Sequence, residues 1–327
     1  MLTRFKLAFG VLVCAQAFSL QAAASKEFPA ETKWMLNLDM KAAQASPIIN
    51  FVVDKLEPVK RQQAQNKLAA IKAMFGVDLI KDIDQLIMAG CGNAEKGGVA
   101  YVYGKFDAQR LSTIIAGSKN YTQMQHGGFT VMGWNDDKQK YISFAKPGLA
   151  MLSNSQTVLT DALDVLAGKQ PGLAPNSVFR SALSGTGGNL LTVQAVDVSS
   201  LAGEQPKAQA LKQAQALCLR VSATKADALD ASLSVTAASD ETAMQIQQAF
   251  MGIQALALLR SGDAPESATL ASMAKINSQG RTVDVTLTLP QSIIATVIEQ
   301  REARDAAKAA AKAARAAAKA HEATTVN

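Results

Sequence analysis

The sequence predicts an α+β fold built from two similar halves, each with its own antiparallel sheet. Segments such as 282–289 alternate apolar and polar residues, which is typical of a half-buried strand. Other segments carry apolar residues at helical spacing, and the two kinds follow the order β-α-β-β-α-β-β-α in residues 25–168 and again in 177–290. A Pro- and Gly-rich linker at 169–176 separates these tandem halves. We therefore expect helices on one face of an antiparallel sheet in each half.

The first half opens with a strand and a helical region that Pro58 interrupts, because proline cannot donate a hydrogen bond within a helix. Beyond Pro58, apolar residues spaced by four, three and four positions predict one inward stripe, and Gly76 ends the helix. The stripe consists of Ala64, Leu68, Ile71 and Phe75. The other elements of this half are strands at 34–40, 85–91, 98–105, 129–134, 140–146 and 149–152, and helices at 107–117 and 155–167.

The second half repeats that order. Ser239 is the predicted N-cap of a helix at 240–260, with Asp240 and Glu241 in its first turn. The predicted inward stripe of this helix is Ala243, Ile246, Phe250 and Ile253. The other elements are strands at 189–198, 217–224, 228–236, 271–277 and 282–289, a helix at 206–216, and a last helix from 291 onward.

The first 24 residues have the three-part layout of a secretory signal peptide. Arg4 and Lys6 precede an apolar run at 7–20, and three alanines at 22–24 place the expected cleavage before Ser25. The run is shorter than the roughly 20 apolar residues that span a bilayer. We expect a periplasmic or secreted protein without a transmembrane segment after cleavage.

The positive charge of the chain lies mostly at its two ends. The net charge is +6, of which the signal peptide carries +2 and residues 301–327 carry +3, so residues 25–300 carry a net +1. A nucleic-acid surface needs many phosphate-neutralising groups on one face. The nearly neutral body therefore argues against specific nucleic-acid binding.

The sequence offers no set of residues typical of catalysis, metal binding or cofactor binding. Of the three cysteines, Cys91 and Cys218 remain after cleavage, and one bridge between them stays an open alternative. His126, beside two glycines, is predicted to be a turn residue, and one histidine with two distant cysteines does not make a zinc site. Trp34 and Trp134 are predicted to be core anchors; the alternative is that they line a binding groove.

Two short runs resemble a group of exported bacterial proteins whose function is not known. They are the sequences FGVDLIKDID at 75–84 and VYGKFD at 102–107. The resemblance covers roughly residues 30–295 and implies export and a body of two α+β halves. It transfers no catalytic residue to this chain.

The C-terminal segment 291–327 predicts an Ala/Lys-rich helical extension with a disordered end. Its cations are spaced by three or four residues, so that all six fall on one helical stripe over five turns. Alanine, the best helix former, fills most other positions. The candidate anion-binding residues are Arg301, Arg304, Lys308, Lys312, Arg315 and Lys319.

These observations favour an exported envelope protein with a non-catalytic binding or scaffold role. Two alternatives stay open for its tail: a solvated helical extension without a partner, or an arm that contacts an anionic envelope polymer or protein. Two other classes stay open. A periplasmic hydrolase would need only two carboxylates that face each other across a cleft. A chaperone-like binder of exported polypeptides would be favoured by an exposed apolar groove between the halves.

Overall fold

A computed structural model describes residues 26–92, 97–135, 138–174, 177–183, 188–198 and 213–325. The predicted signal peptide and most of the helix predicted at 206–216 lie outside these residues. The part of that helix prediction that can be checked is wrong, because residues 214–216 begin a strand.

All strands of the described chain belong to one antiparallel sheet of twelve strands. From edge to edge the order is β11-β12-β10-β9-β8-β1-β2-β3-β7-β6-β5-β4. The strands are β1 (Trp34–Asp39), β2 (Ile83–Gly90), β3 (Val99–Gly104), β4 (Thr122–His126), β5 (Phe129–Asn135), β6 (Gln139–Lys146), β7 (Leu149–Ser153), β8 (Asn189–Val196), β9 (Ala214–Lys225), β10 (Ala228–Ala237), β11 (Lys275–Gln279) and β12 (Thr282–Pro290).

The expectation of a separate sheet in each half is wrong. β1 pairs with β2 on one side and with β8 on the other, and the second pairing aligns Trp34 with Ala195 and Leu38 with Leu191. In separate sheets, β1 and β8 would each expose a row of unpaired backbone groups. Their pairing removes two edges and joins the two parts of the chain.

The strands leave the β1–β8 pair in the same order on both sides. One side runs β1, β2, β3, β7, β6 and the other β8, β9, β10, β12, β11. The first side then adds β5 and β4. β4 was missed in the sequence because Met124 is its one apolar residue, which is too little for an alternating pattern. This strand lies at the edge of the sheet, where it pairs with β5, and His126 ends it.

Along the chain, the helices separate groups of strands, and the last helix follows β12. They are α1 (Met40–Ala45), α2 (Pro47–Lys55), α3 (Pro58–Phe75), α4 (Ala108–Ala116), α5 (Gln156–Leu166), α6 (Arg180–Leu183), α7 (Asp240–Leu259), α8 (Pro265–Met273) and α9 (Gln291–Thr325). Side chains of Asp39, Asp107, Ser155 and Ser239 cap α1, α4, α5 and α7. Gly76 ends α3 in the left-handed region, with φ of 70°, as predicted.

Helices cover both faces of the sheet, so the expectation of helices on one face is also wrong. The rear face, which carries Met35, Ile87 and Tyr101, packs against Leu159 and Leu163 of α5. The front face is the opposite one. There α4 packs Ile115 against Met132 and Ile142 near one end of the sheet, and α7 packs Ala243 and Ile246 against Val235 and Val283 near the other.

Two predicted helical stripes are less buried than expected. No residue of α3 is buried, although Leu68, Ile71 and Phe75 are partly covered. In α7, Ala243 and Ile246 are buried but Ile253 is 59% exposed. Helical spacing predicts which residues share a face, but it does not show how far the neighbouring layer extends. No helix of the described chain is long and apolar enough to cross a membrane.

Candidate binding surface on the front face

Eight apolar side chains form a continuous patch at the centre of the front face. Because directly paired residues share a sheet face, the register arranges them in two rows across four strands. Met88, Leu36, Val193 and Leu219 form one row, and Leu86, Leu38, Leu191 and Val221 form the other. These eight residues are called the central patch below. It crosses the β1–β8 pair, where the two parts of the chain meet.

The central patch is apolar and only partly covered. Met88 is 38% exposed and the other seven side chains are partly exposed. None of the eight belongs to the three hydrophobic clusters of the described chain, two of which lie on this same face to either side of the patch. Soluble proteins seldom leave contiguous apolar surface open unless it binds something. The central patch is therefore the strongest candidate for a binding surface.

A pocket of about 340 Å³ adjoins the patch, and both tryptophans of the chain line it. Met88 belongs to the patch and also lines this pocket, so the two surfaces are continuous. The other lining residues include Ala100, Tyr141, Leu152 and Lys140. This pocket is called the tryptophan pocket below.

Local structure holds both indole rings in place. Trp34 donates from Nε1 to the carbonyl of Gly92 over 2.8 Å, and its ring lies over Gly90, where a Cβ would be 2.6 Å from the ring. Lys140 places Nζ 6.0 Å from the ring centroid of Trp134. The side chains are only partly buried. The groove alternative thus describes Trp34, whereas Trp134 lines the pocket and also packs against the cluster of Ile115 and Met132, as a core anchor does.

A second pocket, of about 320 Å³, lies behind the sheet and is called the rear pocket below. Its walls come from the segment 29–32, the ends of β2 and β3, α5 and residues 170–171. Tyr101, Cys91, Glu31 and Asp161 are among its lining residues. Burial is the main cause that raises the pKa of the Cys91 thiol, and the negative charges of Glu31 and Asp161 raise it further. Cys91 and Cys218 are both free thiols.

The predicted linker at 169–176 also forms hydrogen bonds with the N-terminal segment of the described chain. Ala30 donates its backbone N–H to Pro171 over 3.1 Å, and Leu173 donates to Phe28 over 2.9 Å. A Cβ on Gly172 would lie 2.5 Å from the carbonyl oxygen of Lys26, which only glycine avoids. The segment therefore fixes the chain that forms one wall of the rear pocket.

The predicted cationic stripe is only partly free. The guanidinium of Arg304 pairs with Glu266, a carboxylate that is 7% exposed, and also lies 3.5 Å from Asp305. Arg304 therefore anchors α9 to α8 and is not free to bind an anionic partner, which corrects that part of the prediction. Arg301 lies 4.0 Å from Asp305, and Lys308 is exposed. The side chains of Lys312, Arg315 and Lys319 lie outside the described part of the structure.

His126 ends β4 and pairs with Phe129 across the turn of Gly127 and Gly128, next to the predicted turn position, and it also contacts a carboxylate. Its Nε2 lies 3.0 Å from Oδ1 of Asp164 on α5, and Lys169 Nζ lies 3.4 Å from the same oxygen. The contact with His126, followed by that with Lys169, lowers the pKa of Asp164. Among the described residues, no group of three or more His, Cys, Asp or Glu is placed to hold a metal ion.

Comparisons with known proteins give a distant structural likeness and nothing closer. No protein-family model matches the chain, and no curated protein matches it. Crystal form III of TP0453 is similar at 14% identity and a TM-score of 0.48, with 84% of this chain and 96% of that chain covered. Crystal form I of TP0453 gives 14% identity, a TM-score of 0.46, and coverage of 84% and 95%. At this distance the likeness carries no argument about function.

Proposed function

We propose that this chain is an exported, non-catalytic protein that binds apolar segments of other exported polypeptides on the front face of its sheet. The observation that carries the proposal is the central patch, whose eight apolar side chains stay partly exposed and continue into the tryptophan pocket. An exposed apolar groove between the halves is the feature that favours a chaperone-like binder over a scaffold. The patch lies at that junction.

The chemistry of the surface suits a sequence-tolerant ligand. The patch presents aliphatic side chains and one methionine, whose flexible thioether adapts to differently shaped partners. Each 100 Å² of apolar surface that a ligand covers contributes about 2.5 kcal/mol before the cost of association. What remains after that cost corresponds to weak, exchangeable binding. Such binding suits a carrier that must release its client.

The hydrolase alternative has less support. Glu31 and Asp161 line one pocket, which gives two carboxylates at a single site. Both are exposed, whereas a glycosidase keeps its acid protonated by sheltering one carboxyl from water. The rear pocket therefore fits binding better than carboxylate catalysis.

We further propose that the tail contacts an anionic envelope polymer or protein through Lys308, Lys312, Arg315 and Lys319. Arg304 is left out because it holds Glu266. Changing the four residues to glutamine keeps helix propensity and removes the charge. If the proposal holds, the variant loses its salt-sensitive association with envelope extract; association that survives both the variant and high salt contradicts it.

The same proposal includes export and a tandem origin of the two halves. The matching strand order on either side of the β1–β8 pair supports two copies of one β-α-β-β-α-β-β-α unit. Export predicts that the mature chain begins at Ser25 and fractionates with the periplasm or the medium. An intact Met1 in cytoplasmic protein, found by N-terminal sequencing, would contradict it.

Peptide binding can be followed with the tryptophans of the chain, because both line the pocket beside the patch. We expect the emission to change and saturate with a ten-residue peptide in which Leu and Val alternate with Ser. The same peptide with every Leu and Val replaced by Ser should have no effect. In the variant Met88→Lys, the affinity for the apolar peptide should fall at least tenfold.

Met74→Lys is the matched control, because Met74 is an exposed methionine on α3, at 61%, and lies outside the patch. It should bind as the wild type does. Equal affinity of Met88→Lys and wild type would overturn the proposal, as would equal binding of the apolar and the all-Ser peptides.

A further inference from the structure

The outer face of α7 carries a second exposed apolar surface, separate from the central patch. Met244, Met251, Leu258 and Leu259 are 53%, 54%, 43% and 81% exposed. The opposite face of the same helix packs against the sheet. A helix that covers a sheet usually turns polar residues toward water. The apolar outer face of α7 departs from that pattern, and a partner that covers it would account for the departure.

The exposed residues follow the spacing by which two helices pack along their length. Met244, Gln248, Met251, Ala255 and Leu258 are separated by four, three, four and three positions, and all five are exposed. This 3.5-residue repeat forms the seam of a coiled coil. An extended peptide has a two-residue repeat and does not match it. The spacing therefore favours another α-helix as the partner.

A glycine within α7 also fits close approach by a second helix. Gly252 and Leu259 lie beside the seam, and the seven residues together are called the outer stripe below. A Cβ built on Gly252 would have no other atom within 4 Å, so packing inside the chain does not require glycine here. Glycine weakens a helix interior relative to alanine. Close contact with a second backbone gives this glycine a reason, and the nearby Ala255 is also small.

The outer stripe is compatible with a copy of itself. No charged residue occurs at positions 242–259. In a twofold-symmetric contact the same surface meets itself, so charges within it would face charges of the same sign. Gln248 is polar but neutral, and its amide can both donate to and accept from the amide of another copy. A second copy of this chain therefore meets the stripe without repulsion.

The charges at the two ends of α7 favour an antiparallel arrangement of two copies. Asp240 and Glu241 lie in the first turn, and Arg260 follows the last residue of the helix. An antiparallel pair places each acidic end beside the partner's basic end, whereas a parallel pair brings like charges together. Exposed ion pairs contribute little energy, so these charges set the orientation more than the affinity.

The area of the outer stripe suits a weak dimer. The exposed fractions of its four large apolar residues together equal about two whole residues, or about 400 Å² at roughly 180 Å² per residue. With Gln248, Gly252 and Ala255, which are also exposed, the stripe reaches about 500 Å² per chain. Two chains would bury about 1,000 Å², the lower limit for a specific interface. The expected association therefore depends on the protein concentration.

We propose that the outer stripe is a dimer interface, in which two copies of this chain pack α7 against α7 in antiparallel orientation about a twofold axis near the middle of the helix. Ile253 and Leu256, at 59% and 58% exposure, lie about 100° or more around the helix from the centre of the stripe and stay outside the contact. The dimer does not depend on the proposed polypeptide binding, because the central patch and the outer stripe share no residue.

Sedimentation equilibrium of the chain that begins at Ser25 tests the dimer directly. We expect a monomer at low micromolar concentration and a dimer as the concentration rises toward the millimolar range. A chain that stays monomeric over the whole range would overturn the proposal. Growth beyond the dimer would also overturn it, because a twofold contact is closed and cannot extend.

A pair of variants tests the assigned surface. Met251→Lys brings two unpaired charges into the apolar contact near the axis and should weaken dimerisation at least about tenfold. Ile253→Lys is the matched control, because Ile253 is similarly exposed on the other side of the same helix, and it should dimerise as the wild type does. Both side chains are exposed in the single chain, so neither variant should lose its fold. Equal effects of the two substitutions would overturn the proposal.

Cross-linking tests the orientation. In a chain with Cys91→Ser and Cys218→Ser, one cysteine is introduced by Met244→Cys or by Leu258→Cys. These positions are 14 residues, or about 21 Å, apart along α7. A short bismaleimide should join the two variants in a mixture and should not join two copies of either one. The reverse result would show a parallel pair and overturn the proposed arrangement.

The dimer and the proposed function can fail independently. Met88→Lys should still dimerise, because Met88 lies in the central patch. Met251→Lys should still bind the apolar peptide as the wild type does. Loss of dimerisation in Met88→Lys would place the contact between copies on the central patch instead and overturn the assignment to α7.

Discussion

The main hydrophobic clusters of the first and second sides of the sheet lie on opposite faces. In the first side the main cluster lies on the rear face, where Tyr101, Leu149 and Met151 are fully buried beneath α5. In the second side the cluster lies on the front face, where α7 covers Val235 and Val283. The rear face of the second side carries hydroxyls and carboxylates instead, such as Ser234 and Asp284. The main cluster of this continuous sheet is therefore on the rear face in the first side and on the front face in the second side.

That change explains where the open apolar surface lies. The front face stays apolar along its whole width, since α4 also packs on it in the first side. The two helices that pack hydrophobic clusters against it, α4 and α7, stand near its two ends, and the central patch lies between those clusters. The patch is the partly exposed part of this apolar face, and it is the surface to which we assign binding.

The largest expected difference between the two sides is in a core truncation. Leu163 on α5 is 0% exposed within the rear cluster, so Leu163→Ala should destabilise the fold by about 3 kcal/mol through lost burial and a cavity. Leu256→Ala on α7 is the matched control, at 58% exposure, and should stay within about 0.5 kcal/mol. Urea unfolding measures both. Similar losses for the two variants would mean that α7 is covered by a partner in solution.

The second-largest expected effect on stability concerns the ion pair between Arg304 of α9 and Glu266 of α8. Arg304→Ala leaves the buried Glu266 without its partner, and we expect a loss of about 2 kcal/mol. This figure lies below the usual cost of breaking a buried pair because the Arg304 side chain is 26% exposed. Lys308→Ala, one helical turn further on, should be neutral.

Two C-terminal truncations test whether α9 is docked through residues 301–305. Residues 301–305 contribute Arg304 and also Glu302, whose Oε1 accepts from the backbone N–H of Glu57 over 3.1 Å. Deleting 301–327 should therefore lower the melting temperature, whereas deleting 308–327 should leave it almost unchanged. Equal melting temperatures of the two truncated chains would show that Arg304 contributes nothing to docking.

How much of this could be predicted from the sequence depends on the range of the interaction. Alternation and helical spacing predicted most strands of the sheet, and Ser239 and Gly76 marked helix ends correctly, because these signals are local. The pairing of β1 with β8 joins residues far apart in sequence, and no local pattern encodes it. The central patch could not be predicted for that reason, although each strand already carried its apolar residues.

The site residues show the same limit. Trp34 and Trp134 share a pocket only because four strands set their spacing, and the alternation around Trp34 alone fits a core anchor equally well. Tyr101 and Cys91 gave no signal at all, since an unpartnered hydroxyl becomes visible only when its surroundings are known. The prediction that Arg304 belongs to a free cationic stripe was wrong because it pairs with Glu266. Periodicity shows which residues share a helix face, but it does not show what packs against that face.

A smaller effect contrasts two serines on the rear face. Ser143 in the first side is 0% exposed and its hydroxyl has no partner, whereas Ser234 in the second side lies 2.5 Å from Oδ1 of Asp284. Ser234→Ala should cost about 1 kcal/mol, and Ser143→Ala should be neutral or slightly stabilising. Chemical unfolding of the two variants decides. A clear loss for Ser143→Ala would show that an ordered water molecule occupies the first-side cluster.

The last prediction concerns acid stability at the edge of the first side, where Asp164 joins α5 to His126 at the end of β4. The contacts with His126 and then Lys169 lower the pKa of Asp164, so the folded state binds this proton less readily than the unfolded state. A carboxylate of this kind stabilises the fold above its unfolded pKa of about 3.9, and the contribution is lost as the pH falls through the lower folded value.

Asp164→Asn removes that linkage. We expect the variant to be less stable than wild type at pH 5, with the difference shrinking as the pH falls below about 4, where the wild-type carboxylate also becomes neutral. Asp161→Asn, an exposed carboxylate on the same helix, should follow the wild-type curve throughout. Urea unfolding at pH 5, 4 and 3 gives the comparison. A difference between wild type and Asp164→Asn that stays constant over this range would show that the Asp164 contact stabilises the first side by packing and not through its charge.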